Sequence, residues 1–509
     1  MDISPILLAG DWISSDSEGP VFQAFSPENG EVLPQRFPVS GWTDLEAMAT
    51  ASIEATRTLS TIDPERIGRF LERFAECIEA DADRLTKTAS LETGLPQPTR
   101  LAAVELPRTT DQLRQAARAA RDVSSTSWRR PVIDHDSNIR SCFEPLGGAV
   151  LVMGPCNFPL AFNGISGGDF AAAIAAGNAV IVKGHPAHPE TTRCLAEAAR
   201  IALDDTGMPP ATVQCFFHAE HEDIARLIEH HAIAAVGFTG GEQAGRAIKS
   251  VADRSGKVVS LEMSSLNPVV LLPGADDDGL EAFSEAWSGS ILLGSGQFCT
   301  KPGICFVIDE SVAQGLADRT VAHLAGTDSS LLLTSAIVDG LESGVRLQQD
   351  AGAILLTGGL PVDEAGWRFQ PTLLMTNGTG FLEMPDSMQH ELFGPAALIV
   401  ACEDRAELLA CLRSLGGQLT GCLWGDEEAM RGDVAVDVRA ALRPKCGRLL
   451  ENKMPTGVAV VSSMVHGGPF PATSHPGFTA VGMPGALQRF AALRCYDGVD
   501  ESRLPAILI

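Results

Sequence analysis

Apolar positions in the first quarter of the chain recur at helical spacing. The stretches "TDLEAMATASIEATRTLS", "PERIGRFLERFAECIEADADRLTKTASLETG" and "ELPRTTDQLRQAARAARDV" make residues 44–123 an expected helical region, with the second stretch running unbroken to Gly94. From residue 149 the pattern alternates. "AVLVMG" reads as a buried strand, "PLAFNGISGGDFAAAIAAG" as a helix with a small-residue face, and "NAVIVKG" as a strand. "PETTRCLAEAARIALDDTG" follows as a helix with Pro189 at its start and Gly207 at its end. "ATVQCFF", "EHEDIARLIEHH", "IAAVGFTG", "GEQAGRAIKSVAD" and "KVVSLEM" continue the alternation of strand and helix. Such alternation predicts a parallel sheet covered on both faces, an α/β nucleotide-binding architecture.

A second α/β region starts at "NPVVLLPGA" and extends to about residue 440. The Gly/Pro-rich "MVHGGPFPATSHPGFTAVGMPG" has no periodicity and reads as ordered loop. No internal repeat or low-complexity linker interrupts the chain.

Length and composition narrow the function. The 509 residues are 45% hydrophobic and 20% charged, an ordinary globular balance for roughly two to four domain-sized units. The net charge of −26, from 38 basic and 64 acidic side chains, opposes general nucleic-acid or anionic-membrane binding. The N-terminus carries no basic, apolar export signal, and no apolar run is long enough to span a bilayer, so a cytoplasmic protein is expected. The twelve cysteines are scattered, with no C-x-x-C pair and no metal-like cluster with histidines, so they are expected to be reduced, mostly buried, and free of metal.

One cysteine departs from that pattern. Cys299 lies in "GSGQFCTKPG", a turn rich in glycine rather than a core strand. Other candidates fall at strand ends, where ligands of open parallel sheets bind. Asn157, in "GPCNFPLAF", is either an amide donor for a bound oxygen or the N-cap of the following helix. Lys183, in "VIVKGHPAHP", is either a ligand for ribose or phosphate or a solvated lysine. His185 and His188 beside it either add to that site or lie plainly on the surface. Gly240 and Gly241, in "GFTGGEQAG", open a helix whose backbone N–H groups would attract phosphate. Glu262, in "SLEMSSLNP", is either a general base, if burial raises its pKa toward neutrality, or an exposed strand-end carboxylate.

Taken together, "NFPLAF", "VIVKGHPAHP", "GFTGG", "SLEMSSLNP", "GQFCTKPG" and "ELFGP" resemble the aldehyde dehydrogenase superfamily in order and spacing. The resemblance runs from "AGDW" to "CYDG", nearly the whole chain. "KGHPAHP", "SSLNP", "GQFCTKPG" and "MVHGGPFPATS" look most like the 2,5-dioxopentanoate (α-ketoglutarate semialdehyde) dehydrogenases, with NADP-preferring fatty aldehyde dehydrogenases as close relatives.

The resemblance implies an aldehyde dehydrogenase-like fold: a Rossmann-type cofactor domain, an α/β catalytic domain and a β oligomerisation element. It implies that Cys299 attacks an aldehyde to give a thiohemiacetal and then a thioester, because a thiolate is a strong nucleophile and its thioester is open to water. Asn157 and the Cys299 backbone N–H would hold the oxyanion, and Glu262 would activate the thiol or the water. Glu391 and Phe393 of "ELFGP" would hold the nicotinamide ribose and ring, and Lys183 the adenosine ribose or its phosphate. Pro186 stands where NAD-preferring relatives often carry a glutamate. This favours NADP, with NAD still accepted. Cys156 replaces a small hydroxyl residue and is read as space filling, and Gly241 replaces a serine.

For the distal carboxylate of 2,5-dioxopentanoate, Arg108 and Arg114 are candidates, although surface salt-bridging is the expected state of both. Competing readings are a fatty or other aliphatic aldehyde dehydrogenase, a CoA-acylating form (disfavoured by Glu262) and a catalytically silent scaffold. The expected division is residues 1–125 and 146–261 for the cofactor domain and 262–460 for the catalytic domain. Residues 126–145 with 461–509 form the oligomerisation element and tail, in a homodimer or homotetramer.

Overall fold

Branched and aromatic residues in short runs place two seven-stranded sheets at the centre of the computed structural model, which describes residues 2–15, 19–477 and 479–509. The first sheet runs in the order Val258–Glu262, Ile233–Thr239, Ala149–Met153, Val180–Lys183, Val213–Phe216, Ile6–Leu8 and Asp11–Ile13. Its first five strands are parallel, as the alternating pattern predicts. The last two are antiparallel additions from the N-terminus that the pattern did not reveal. Every residue of Ala149–Met153 is buried, which is the reason that strand reads as a continuous apolar run.

The second sheet runs Ile354–Thr357, Thr372–Asn377, Ala396–Cys402, Ile304–Ile308, Val269–Leu271, Gln418–Trp424 and Cys446–Glu451. A three-stranded antiparallel sheet joins Val132–Asp134 and Ile139–Pro145 to the late strand Ala491–Asp497.

Two expected helices differ. The stretch ending at Gly94 is two helices, Pro64–Ala80 and Ala82–Thr93, because Asp81 leaves helical geometry (φ −108°, ψ 19°). Its carboxylate pairs with Arg84 in the first turn of the second helix. Gly94 closes the second helix in the left-handed conformation, φ 66°.

The helix expected over residues 159–177 is confined to Gly168–Ala175. Glu105 explains the shortening: its buried carboxylate accepts from the N–H groups of Leu160 and Ala161, at 2.8 and 3.0 Å. Asn163 and Ser166 bond further backbone groups of the same loop. The loop's polar groups are thus satisfied without a helix. Glu105 ends a π-helical stretch, Gln97–Glu105, that leads into the helix Leu106–Arg121.

Residues 464–484 are loop as expected, apart from Phe478, which lies outside the described residues. They tie the two large sheets together. Met263 N–H donates to Ala472 O and Ser474 N–H to Leu261 O, while Gly417 N–H donates to Phe470 O. Among the described residues, no helix is long and apolar enough to cross a membrane.

Candidate active site

The turn that carries Cys299 follows the helix Asp277–Leu292. Gly294, Ser295 and Gly296 have φ of 59°, 56° and 68°, three left-handed residues in succession. A Cβ on Gly296 would stand 2.0 Å from Gly394 O, so the turn lies directly on the "ELFGP" backbone and requires glycine there. Asn267 fixes the other side: its Nδ2 donates to Cys299 O and to Lys301 O, both at 2.9 Å. Lys301 is itself buried and donates to Leu392 O (2.6 Å) and Ala396 O (2.7 Å). The glycine-rich turn is therefore rigid, and it holds a partly exposed thiol at a fixed point.

Glu262, at the end of Val258–Glu262, faces that thiol, and His466 comes in from the tail. His466 Nε2 lies 2.7 Å from Glu262 Oε1 and 3.4 Å from Cys299 Sγ. Both side chains of the Glu262–His466 pair are only 2% exposed. Burial acts to raise the Glu262 pKa, but the His466 charge and hydrogen bond, the Cys299 thiol and Arg489 together outweigh it and hold the carboxyl below its ordinary value. The expected upward shift is thus corrected: Glu262 is a buried, ionised carboxylate. Burial first, and then Glu262, push the Cys299 thiol well above its ordinary pKa. The resting group is a protonated thiol beside a carboxylate that can take its proton.

Asn157 lies in the loop before Gly168, which removes the N-cap alternative. Its Nδ2 donates to Gln297 O at 2.8 Å, two residues before Cys299. Cation and aromatic groups wall the pocket. Phe158 packs edge-on against Phe162 and Phe298 at 5.2 and 5.3 Å. Arg100 stacks over Phe158 at 4.4 Å and pairs with Glu105 at 2.7 Å.

Arg108, expected on the surface, instead packs over Phe162 and Phe158 at 5.1 and 5.7 Å. It donates one bond to Val458 O at 3.1 Å, while its buried Nε and Nη2 have no partner. Burial lowers its pKa, and Cys299 and Glu262 are among the groups that act on it. Arg114 does lie at the surface, in a two-bonded pair with Glu79.

A cleft of about 900 Å³ opens between the two sheets, lined by Gly241, Glu242, Ser264, Ser265, Glu391 and Gln418 among others. Gly241 is the N-cap of Glu242–Arg254, and Gly240 N–H donates to Glu262 O, so the cleft floor leads to the thiol. Burial raises the Glu391 pKa against the pull of Lys301. Phe393 is half-buried beside Gly394.

Lys183 ends its strand with its ammonium desolvated, which lowers its pKa to about 8. His188 is buried, and His185 stacks on it at 5.3 Å, so neither is a plain surface histidine. Pro186 between them is exposed. A nicotinamide dinucleotide fits this set: a helix N-terminus and a carboxylate on the cleft, and a desolvated ammonium two strands away in the same parallel sheet.

The sequence shows no metal-like spacing, yet folding brings Glu262, Cys299 and His466 within 4.8 Å of one another. Two residues of this pocket escaped sequence reasoning. His466 lies in the aperiodic tail, 204 residues from Glu262, and its one signal was membership in the "MVHGGPFPATS" stretch. Glu105 looked like any helix-start carboxylate.

Comparison with known proteins agrees with this geometry. The sequence profile of the Aldehyde dehydrogenase family matches residues 12–468. The chain is 35% identical to alpha-ketoglutaric semialdehyde dehydrogenase 2 of Azospirillum brasilense, over 99% of this chain and 96% of that protein. It is 33% identical to alpha-ketoglutaric semialdehyde dehydrogenase of Acinetobacter baylyi, over 91% and 88%. A solved structure of a putative aldehyde dehydrogenase from Burkholderia cenocepacia superposes with a TM-score of 0.82 at 22% identity, covering 99% of this chain and 98% of that one. PnpE in complex with nicotinamide adenine dinucleotide gives 0.81 at 21% identity, covering 97% of each chain. The chain belongs to the aldehyde dehydrogenase family and is an oxidoreductase acting on aldehydes.

Proposed function

We propose that this aldehyde dehydrogenase oxidises 2,5-dioxopentanoate to 2-oxoglutarate with NADP. Arg108 carries the substrate reading. It is a desolvated guanidinium on the wall of the thiol pocket, Glu105 is already paired to Arg100, and two donor nitrogens of Arg108 are left unbonded. A buried unpaired cation is costly and is relieved by an anionic ligand. An aldehyde held at Cys299 with a carboxylate at its far end supplies one. Two relatives named above act on α-ketoglutaric semialdehyde by name, which agrees.

In this reading Cys299 gives its proton to Glu262, whose carboxylate is held by His466 Nε2–H at 2.7 Å. The thiolate adds to the aldehyde carbon. The second Asn157 amide hydrogen and the Cys299 N–H hold the oxyanion. A dinucleotide held by Lys183, Glu391 and Phe393 would supply the hydride acceptor. Glu262, having passed that proton to solvent, then takes one from the water that cleaves the Cys299 thioester, and the acid leaves as the thiolate regains a proton.

Lys183 would hold the 2′-phosphate, because Pro186 places no carboxylate beside it. Glu391 and Phe393 would hold the nicotinamide ribose and ring. Gly240 and Gly241 would lie along the diphosphate at the start of Glu242–Arg254.

We assign residues 1–125 with 146–261 to the cofactor domain, 262–460 to the catalytic domain, and 126–145 with 461–509 to the contact between copies in a homodimer or homotetramer. Val132 and Leu493, each 64% exposed on the outer strands of the three-stranded sheet, support the last assignment.

The phenylalanine walls, Phe158, Phe162 and Phe298, favour a second reading, oxidation of aliphatic aldehydes. Nicotinamide reduction with 2,5-dioxopentanoate and NADP separates the two, beside Cys299→Ala and a series of medium-chain aldehydes. The proposal expects a kcat/KM for 2,5-dioxopentanoate at least about tenfold above any uncharged aldehyde, and loss of at least about a thousandfold in Cys299→Ala. Preference for the uncharged series overturns the substrate.

A further inference from the structure

Three side chains of different chemistry converge on one point in the pocket: a thiol, an imidazole and a carboxylate. Their ligand atoms lie within 4.8 Å of one another, and no other such group of three is found among the described residues. The atoms arrive from separate elements that are each held in place. Cys299 and Lys301 are pinned through their carbonyls by Asn267, His466 is fixed by its N–H to Thr479 Oγ1 at 2.8 Å, and Glu262 ends a buried strand. The second carboxylate oxygen, Glu262 Oε2, is buried with no aligned hydrogen-bond partner.

We propose that Glu262, Cys299 and His466 form a reversible inhibitory site for Zn²⁺. Zinc takes thiolate sulfur at about 2.3 Å, and imidazole nitrogen and carboxylate oxygen at about 2.0–2.2 Å, in a tetrahedron. That geometry separates neighbouring ligand atoms by roughly 3.3–3.7 Å. The sulfur–nitrogen distance of 3.4 Å already fits, and the nitrogen–oxygen distance of 2.7 Å has only to open by a fraction of an ångström. One thiolate and one carboxylate balance the charge of the ion. A preformed set spares most of the ordering cost of binding.

The reaction is an exchange without redox change. Zn²⁺ forms a bond to Cys299 Sγ, the thiol proton leaves to solvent, and the proton between His466 Nε2 and Glu262 leaves Nε2 as both groups give up their mutual contact to bind the ion. A water completes the tetrahedron on the side where an aldehyde would approach. The ion thus occupies the nucleophile and competes with aldehyde, not with dinucleotide.

Cobalt tests the site without relying on turnover. One equivalent of Co²⁺ added to the purified enzyme is expected to give a thiolate-to-cobalt charge-transfer band in the near ultraviolet and the intense visible bands of a tetrahedral ion. Zn²⁺ should bleach both. In steady state, micromolar Zn²⁺ should raise the KM of whichever aldehyde the enzyme turns over, with kcat recovered at saturating aldehyde or after EDTA. Cys299→Ser, nearly isosteric, should abolish the charge-transfer band, and His466→Ala should weaken metal binding by at least about tenfold.

A charge-transfer band that persists in Cys299→Ser puts the metal on another thiol and overturns the proposal. So does an absence of both band and inhibition in the wild-type enzyme. If His466→Ala melts early, Cys299→Ser alone decides. None of these readouts depends on the substrate being 2,5-dioxopentanoate, so the two proposals fail separately.

Discussion

The corner around Lys183 and the pocket around Cys299 treat charge in opposite ways. At Lys183 an ammonium and the imidazoles of His185, His188 and His218 are desolvated together. The pKa values of all four fall, through burial first and, for the histidines, through repulsion from their cationic neighbours. Among the described residues no carboxylate pairs with Lys183, whose Nζ reaches only Gly184 O at 3.2 Å, so an anion from outside would answer it. At Cys299 the thiol, imidazole and carboxylate answer one another at hydrogen-bond distance. A binding surface is left incomplete for its ligand, whereas a proton-transfer site is closed on itself. Arg108, at the pocket wall, belongs to the first kind although it stands beside the second.

This contrast can be broken experimentally. The largest effect should come from opening the closed circuit: His466→Ala is expected to lower kcat about a hundredfold with the KM for NADP unchanged, measured by steady-state kinetics. An equal rise in the cofactor KM would show that His466 only holds the fold of the cleft.

Removing an unanswered charge should act on one ligand alone. Arg108→Leu is expected to cut kcat/KM for 2,5-dioxopentanoate about thirtyfold while an uncharged aldehyde of similar length keeps its rate. Answering the Lys183 corner from within should redirect the cofactor: Pro186→Glu is expected to shift the NADP-to-NAD ratio of kcat/KM toward NAD by about tenfold, through like-charge repulsion of the 2′-phosphate.

The smallest effect is a pH dependence. Lys183, with its pKa lowered to about 8, is charged below that pH and neutral above it. The KM for NADP should therefore rise about threefold between roughly pH 7 and pH 9, while that for NAD stays nearly flat. A parallel change for both dinucleotides would place the titrating group elsewhere.

Which parts of the molecule were legible follows from the same contrast. The Lys183 corner is local in sequence: lysine, both flanking histidines and proline occupy residues 183–188, at a strand end that hydrophobic alternation marks. The parallel strands were equally readable, because each buries a continuous apolar run.

The Cys299 pocket is assembled from tertiary contacts. Its thiol and carboxylate announced themselves through glycine context and strand position, but His466 sits where no periodicity operates. The downward pull on the Glu262 pKa could not be foreseen without that imidazole. Arg108 misled because a polar residue on an amphipathic helix normally faces water, and here the helix edge meets the pocket. Residues 159–167 misled because their backbone is satisfied by Glu105, a side chain more than fifty residues away.

The tail that supplies His466 also has a meaning in time. A ribosome makes Glu262 and Cys299 long before it makes their imidazole, which follows Glu262 by 204 residues. Until then the carboxylate beside the thiol lacks the imidazole that holds it. The Met263–Ala472 and Leu261–Ser474 backbone bonds that close the wall behind the carboxylate do not yet exist. A nascent or truncated chain would therefore carry both halves of a nucleotide cleft and a cysteine whose carboxylate is not yet held. Competence to react would arrive late and in a single step, when the tail docks across the two sheets.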